Sequence, residues 1–188
     1  MTNHLLSIYD EITWETVGQV IDGTYHKYRE EPFDCLIVIL SSQGGDLDAG
    51  WALYAAIKHL GCKVVTVANG RLYSAGVLAY LAGDHRFVYD DSIFLFHPTT
   101  ILVNDEERAS FKSEDEVLDF KMDDKLFNEL LKKTLTKATK KDINSLTHKY
   151  KSRFVKADEA VRIGLADQII DKFTQIPGII EEMNVPIQ

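Results

Sequence analysis

The sequence is poor in cysteine, has no excess of basic charge and contains no long apolar run, and each shortage closes off a class of protein. Its two cysteines, Cys35 and Cys62, both lie inside apolar segments. With no histidine or cysteine at ligand spacing they make no metal site, and as free thiols they behave as small hydrophobes rather than as a disulfide framework. The 21 Lys and Arg side chains are outnumbered by 29 Asp and Glu, for a formal charge of -8. No sequence-wide electrostatic attraction therefore draws the chain to nucleic acid or to an anionic membrane. The one basic run, "KKTLTKATKK", is local and lies among acids. No stretch is apolar for long enough to cross a bilayer, and "MTNHLLSIYDE" lacks the charged region and apolar run of a signal peptide. A cytoplasmic protein is the plain reading. Internal repeats and low-complexity segments are absent too.

What is present is a chain of 188 residues, 45% hydrophobic, enough for one domain with a proper core. "ITWETVGQVIDGTYHKYREE" carries Ile12, Val17, Val20, Ile21 and Tyr25 near helical spacing and predicts an amphipathic helix. "DCLIVIL" is a short branched run suited to a strand buried on both faces, as in a parallel sheet. A turn cluster, "SSQGGD", follows, and then a helix in which Leu53, Ile57 and Leu60 share a face and Gly61 takes the left-handed terminal position. The pattern repeats: "CKVVTVAN" as strand, "GRLYS" as tight connection, "AGVLAYLAG" as helix. Strands alternating with helices at this spacing imply βαβ units with right-handed crossovers. Two shorter strands, "RFVY" and "SIFLFH", flank the turn pair Asp90-Asp91.

From Ser113 the character changes. Ser113 and Glu116 form a capping box, and Leu118, Met122, Leu126 and Leu130 make a stripe widened by Val117, Phe120, Phe127, Leu131 and Leu135. A helix of roughly two dozen residues spans about 36 Å at 1.5 Å per residue, so it is expected to pack on something outside its own subunit. Short helices are expected around "KKDINSLTHKY" and "KADEAVRIG", then a final strand in "LADQII" and a peripheral tail helix between Pro177 and Pro186. The domain reading is a head at about 1–110 and 150–175, a long-helix region at about 111–149 and a tail at 176–188.

Three polar points close the strand-like runs: Gln43-Gly44-Gly45, Ser74 and His97. Loops after the C-termini of parallel strands converge on one edge of the sheet, so these points can meet. A serine at a strand-to-helix junction has the amide of Ala75 and the positive end of the new helix beside it. Glycines at the neighbouring junction leave the Gly45 amide open as a second donor to an oxyanion, and His97 can take and return the serine proton. Taken singly, a serine between Gly70 and Gly76 is more often a turn residue, and a strand-ending histidine a structural one. Their joint placement shifts the balance.

The order of these motifs resembles the proteolytic subunit of Clp protease, a family of serine peptidases with the ClpP/crotonase-like α/β fold. The family's "SPGG" loop looks like Ser42-Gln43-Gly44-Gly45, with "AG" following at Ala49-Gly50. Its G-x-x-x-S-x-G turn looks like Gly70 to Gly76, and its strand-ending "HQP" looks like His97-Pro98. "SRFVKADEAVRIGLAD", Ser152 to Asp167, is similar to the family's "DRFLSAxEAxxxGLVD". The likeness covers about residues 33–170. It implies Ser74 as nucleophile, His97 as general base and acid, and the Gly45 and Ala75 amides as the oxyanion hole. It further implies no cofactor or metal, a peptide or unfolded-protein substrate, and a protruding handle helix that joins subunits into a ring or stacked rings.

Three departures accompany the likeness. The family's third triad residue, an aspartate, is replaced by Ser152, whose hydroxyl can orient an imidazole but cannot balance its charge; loss of such a carboxylate costs about 10⁴ in turnover. Asp105, Glu106 and Asp142 are candidate replacements. Tyr73 stands where the family has a small residue before the nucleophile, which crowds the cleft or remakes its specificity. The chain also begins almost directly with its first strand, without the family's axial-loop segment, which argues against dependence on an unfoldase ATPase. Two other readings stay open: a catalytically inactive structural or peptide-binding homologue, and an acyl-CoA enzyme of the crotonase type using Asp46 or Asp48.

Overall fold

In the computed structural model the run Cys35–Leu40 is wholly buried, and it sits where such a run is stable, inside a parallel sheet. The structure describes residues 2–97, 129, 132–137, 152–176 and 178. Contacts divide the chain into two units, Met1–Leu95 with Phe154–Gln188, and Phe96–Arg153.

In the first unit the elements follow the order β1 (Asn3–Ile8), α1 (Trp14–Glu30), β2 (Cys35–Ser42), α2 (Leu47–Lys58), β3 (Lys63–Tyr73), α3 (Ala75–Leu81), β4 (His85–Tyr89) and β5 (Ile93–Phe96). After the second unit come β6 (Arg153–Lys156), α4 (Ala157–Ile163) and β7 (Gln168–Ile170). The sheet runs β1-β2-β3-β4-β7, with β5 pairing both β3 and β6. Every register along the main path is parallel.

Strand alternation sorts the core into two faces. Cys35, Ile37 and Ile39 pack with Val65, Val67, Phe87, Ile170 and Ile176 on one face. On the other, Ser42 lies against Gly76 and the Phe94 ring meets that of Tyr80 at a tilt of 55°, so this face receives α3; α2 packs on α3 and α1 on α2. Buried polar groups are held in place. The Tyr80 hydroxyl donates to the Phe87 carbonyl at 3.2 Å, and the Arg86 guanidinium donates to the carbonyls of Leu165 and Gly83 at 2.9 and 3.1 Å.

Two sequence expectations need correction. "GRLYS" is not a connection: β3 continues through it to Tyr73. Leu40 pairs with Ala68 but Ser42 with Leu72, so Asn69 and Gly70 are extra residues in a bulge, and Gly70 takes φ 84°. The Ser92 hydroxyl staples the bend, accepting from the Gly70 amide and donating to the Ala68 carbonyl, both at 3.0 Å. Before the bulge β3 pairs with β4 and after it with β5, which sends the end of the strand in a new direction. Ile12, in turn, is not part of the first helix. Thr13 caps α1, and Ile12 bonds to the glycine loop instead.

A first strand close to the chain's start is as expected, at Asn3–Ile8, whereas β6 has no counterpart among the expected strands. Helix α2 forms where expected, with Leu53 and Ile57 buried on it, but it ends at Lys58 with His59 as its C-cap, so Leu60, also buried, and Gly61, at φ 95°, lie beyond the helix instead of closing it. Helix α4 stops at Gly164, φ 77°. Residues 132–137 are helical. The Ser113–Glu116 capping box, the rest of the long stripe and the helix around "KKDINSLTHKY" lie outside the described residues, as does most of the tail. Among the described residues no helix is long and apolar enough to cross a membrane.

Candidate active site

The strands β2 and β3 end side by side, and the residues after them are the ones the sequence singles out. Ser74 leaves β3 with φ 49° and ψ -122°, the only non-glycine residue described with a positive φ. Such backbone costs of order 1–3 kcal/mol and persists only where the surroundings enforce it. Here they do. The Ser74 amide donates to the Leu95 carbonyl of β5 at 3.0 Å, its carbonyl accepts from Val77 at 3.0 Å, and α3 begins at the next residue. Ser74 is half-buried, and its hydroxyl does not cap the helix it precedes.

The glycine loop lies against this turn. A Cβ built on Gly44, φ 94°, would stand 2.8 Å from both the Ser74 Cβ and the Tyr73 carbonyl oxygen, and 3.4 Å from the Ala75 nitrogen. Only glycine allows that approach. The Ser42 hydroxyl, itself buried, accepts from the Gly44 amide at 3.1 Å and sets the loop's direction.

A strap from the segment after β1 holds the loop's other side. Ile12 donates to the Gly44 carbonyl at 2.8 Å and accepts from Asp46 at 2.7 Å, an isolated parallel bridge. The bridge leaves the Gly45 amide facing away, and Gly45, φ 142°, cannot carry a Cβ without overlapping the Ile12 carbonyl. The strap is fixed by α1: Thr13 and Thr16 bond reciprocally, and the Thr16 hydroxyl also donates to the Glu11 carbonyl at 2.8 Å. Among the described residues neither the Gly45 nor the Ala75 amide is taken up by an acceptor. As the first residue of α3, Ala75 has no intrahelical acceptor by construction.

The remaining candidates fall in different places. His97 is exposed and directly follows β5, two residues after Leu95, the residue that anchors Ser74. Ser152 is exposed immediately before β6. Both belong to the second unit. Asp105, Glu106 and Asp142 lie outside the described residues. Asp46 is engaged as the cap of α2, its carboxylate accepting from the Ala49 amide at 2.9 Å, and Asp48 is exposed in that helix's first turn.

Neither thiol resembles a nucleophile. Burial, reinforced by the neighbouring Cys62, pushes Cys35 up to about 11, and burial raises Cys62 as well. Both cysteines are free. No three His, Cys, Asp or Glu side chains among the described residues gather as metal ligands.

The strap at Ile12 and the staple at Ser92 escaped the sequence reading, because both act through main-chain groups that residue type does not reveal. The neighbour of Tyr73 escaped it too: the ring of Phe154 meets that of Tyr73 edge-on, centroids 6.2 Å apart at 77°. The size of Tyr73 was the signal available.

A parallel α/β sheet whose bulged third strand delivers a strained serine to a glycine loop defines a narrow structural class. The family model for Clp protease matches residues 1–173, and the chain belongs to that family. It is 27% identical over 173 residues to the ATP-dependent Clp protease proteolytic subunit 2 of Chlamydia trachomatis, covering 90% of this chain and 82% of that protein. The proteolytic subunit 2 of Treponema pallidum is 39% identical over 64 residues, 33% of this chain and 32% of its own. The fold is similar to that of a ClpP1 mutant from Listeria monocytogenes, with a TM-score of 0.75 at 21% identity, covering 90% and 92% of the two chains.

Proposed function

We propose that the chain is a serine endopeptidase that cleaves peptides or unfolded proteins through an acyl-enzyme on Ser74, within a ring of like subunits. The observation that carries the reading is the enforced positive φ of Ser74 against Gly44. A turn serine has no need of that strain, whereas a nucleophile gains exposure and a fixed direction from it.

In the reaction the Ser74 oxygen bonds to the scissile carbonyl carbon while its proton passes to His97. The carbonyl electrons move onto oxygen, where the Gly45 and Ala75 amides donate to the oxyanion. Collapse breaks the carbon–nitrogen bond, and His97 gives its proton to the departing amine. Water then repeats the sequence against the acyl-enzyme and releases Ser74. Ser152 orients the imidazole through its hydroxyl, a weaker arrangement than a carboxylate. No cofactor enters these steps.

An inactive structural subunit is the second reading, favoured by one fact, the serine at position 152. The acyl-CoA reading is weakened because Asp46 is committed to its helix. A fluorophosphonate probe, with adducts mapped by mass spectrometry, separates the first two. Labelling at Ser74 that is absent in His97→Ala and after heat denaturation supports the peptidase. A folded, assembled sample that takes no label is the inactive subunit.

A further inference from the structure

The two peptide groups on either side of Ile12 carry four main-chain hydrogen-bonding atoms, and each has a partner. Two face the glycine loop: the Ile12 amide donates to the Gly44 carbonyl at 2.8 Å, and the Ile12 carbonyl accepts from Asp46 at 2.7 Å. The other two meet a single hydroxyl. Thr16 Oγ1 donates to the Glu11 carbonyl at 2.8 Å and accepts from the Thr13 amide at 3.0 Å. The Thr13 carbonyl also lies 3.1 Å from this oxygen, but it already takes the Val17 amide at 2.9 Å, so the one hydroxyl proton goes to Glu11. Ile12 itself is 1% exposed, which pins the strap between these two sets of bonds.

Through the peptide planes the bonds form one line. The Thr16 hydroxyl points to the carbonyl of the Glu11–Ile12 peptide, whose N–H donates to the carbonyl of the Gly44–Gly45 peptide. In a trans peptide the N–H stands opposite its own carbonyl, so the Gly45 amide, the donor offered to the oxyanion, points away from the strap. Each bond in such a line fixes the plane of the next peptide and polarises its N–H, by about 10–30% per bond. The second donor, Ala75, is held differently: the carbonyl of its peptide, on Ser74, accepts from Val77 of α3 at 3.0 Å. Its own helix sets Ala75, whereas Gly45, at φ 142° and with no side chain to anchor it, takes its direction from outside.

We infer that Thr16 is a positioning residue for the oxyanion hole, acting on the Gly45 amide through the Glu11–Ile12 and Gly44–Gly45 peptides without touching substrate. The inference rests on the peptidase reading and adds to it a residue of the first helix, away from the strand ends where the site gathers.

The test compares, in the full chain, Thr16→Val, which fills nearly the same volume without the hydroxyl, with Thr16→Ser, which keeps it. Thr24→Val is the control, since the Thr24 hydroxyl donates to the Val20 carbonyl at 2.6 Å, a bond confined to the same helix. Removing an oxyanion donor outright costs about 10²–10³ in kcat, and loosening one that stays in place should cost less. Thr16→Val is expected to lower kcat on a peptide substrate by about 10-fold per folded molecule, with KM within about 2-fold of wild type. A peptide boronate, whose tetrahedral adduct on Ser74 puts an oxygen between the Gly45 and Ala75 amides, should lose affinity by a like factor. Thr16→Ser should restore kcat to within about 3-fold, and Thr24→Val should lower stability without lowering kcat. In hydrogen exchange the Ile12 amide should open faster in Thr16→Val than in wild type, by a larger factor than amides inside β2. If Thr16→Val does not fold, Thr16→Ala carries the same comparisons. A kcat unmoved by loss of the hydroxyl, a loss shared equally by Thr24→Val, or a loss that Thr16→Ser does not recover overturns the positioning role alone. A wild type that neither hydrolyses peptides nor takes the fluorophosphonate label at Ser74 overturns the peptidase reading, and the role of Thr16 with it.

Discussion

At the scale of single residues, the glycines of this chain divide into those that hold the site and those that merely dilute a helix. Gly44 at φ 94° has the Ser74 Cβ and the Tyr73 carbonyl where its own side chain would be. Gly44→Ala is expected to cost about 1–3 kcal/mol in chemical denaturation, from backbone strain alone, and to abolish fluorophosphonate labelling of Ser74 by displacing the loop. Gly18, inside α1, has nothing within 4 Å of a built Cβ. Gly18→Ala should stabilise by about 0.5–1 kcal/mol and leave labelling unchanged. A common response to both substitutions would mean that the glycine loop is not packed on the serine turn. Ser152 carries a second prediction at this scale. If its hydroxyl stands in for the missing carboxylate, Ser152→Asp should raise kcat on a peptide substrate by about 10²-fold or more without a matching change in KM. An unaltered or lower kcat would place the third group elsewhere.

At the scale of elements, the site is assembled by a strap, a bulge and a turn, and the three differ in how they show in the sequence. The turn is legible, because glycines at Gly44, Gly45, Gly70 and Gly76 punctuate apolar runs and Ser74 falls among them. Helix α4 is legible for the same reason, closed by the left-handed Gly164. The bulge misleads: Gly70 reads as the end of a strand, yet Ser92, twenty-two residues away, bonds both sides of it and keeps β3 running. The edge strand β1 is hard to read because it shows only a weak alternation, exposed or half-buried until Ile8. The strap is invisible, being made of main-chain bonds at Ile12 whose only sequence trace is the Thr13–Thr16 pair. That pair gives the strap a test. Thr13→Ala removes the cap of α1 and should cost about 1 kcal/mol. If the cap also fixes the strap, hydrogen exchange of the Asp46 amide, which donates to Ile12, should speed up by more than that of amides inside β2. Equal changes at both would make the cap a stability feature with no hold on the glycine loop.

At the scale of the described sheet, the charged staples and the candidate site residues lie at opposite strand ends. The glycine loop, Ser74 and His97 all follow the C-terminal ends of strands. The charged staples sit at the N-terminal ends: the Asp167 carboxylate accepts from the Arg86 amide at 2.8 Å where β4 and β7 begin, and Asp84 accepts from the Val64 amide at 3.0 Å while pairing with Lys58 at 2.6 Å. This division predicts that the staples govern stability and its pH dependence while leaving the chemistry alone. Burial pushes the Asp84 carboxyl upward, but the Lys58 hydrogen bond, the Val64 amide and the charges of Lys58 and His85 together hold it below the usual carboxylate range. A carboxylate whose pKa is lower folded than unfolded stabilises the fold above its unfolded value, near 3.9, and loses that contribution as the pH falls through the folded value. Asp84→Asn should therefore be less stable than the wild type at pH 7. The difference between their urea midpoints should hold to about pH 5 and shrink progressively below about pH 4. Because Lys58 and Asp84 are partly exposed, added salt should narrow the gap at neutral pH. The rate of fluorophosphonate labelling, corrected for the folded fraction, should be the same in both proteins. A labelling rate that falls with the substitution would show that the two ends of the sheet are coupled, and that the strands transmit strain from their charged ends to the serine turn.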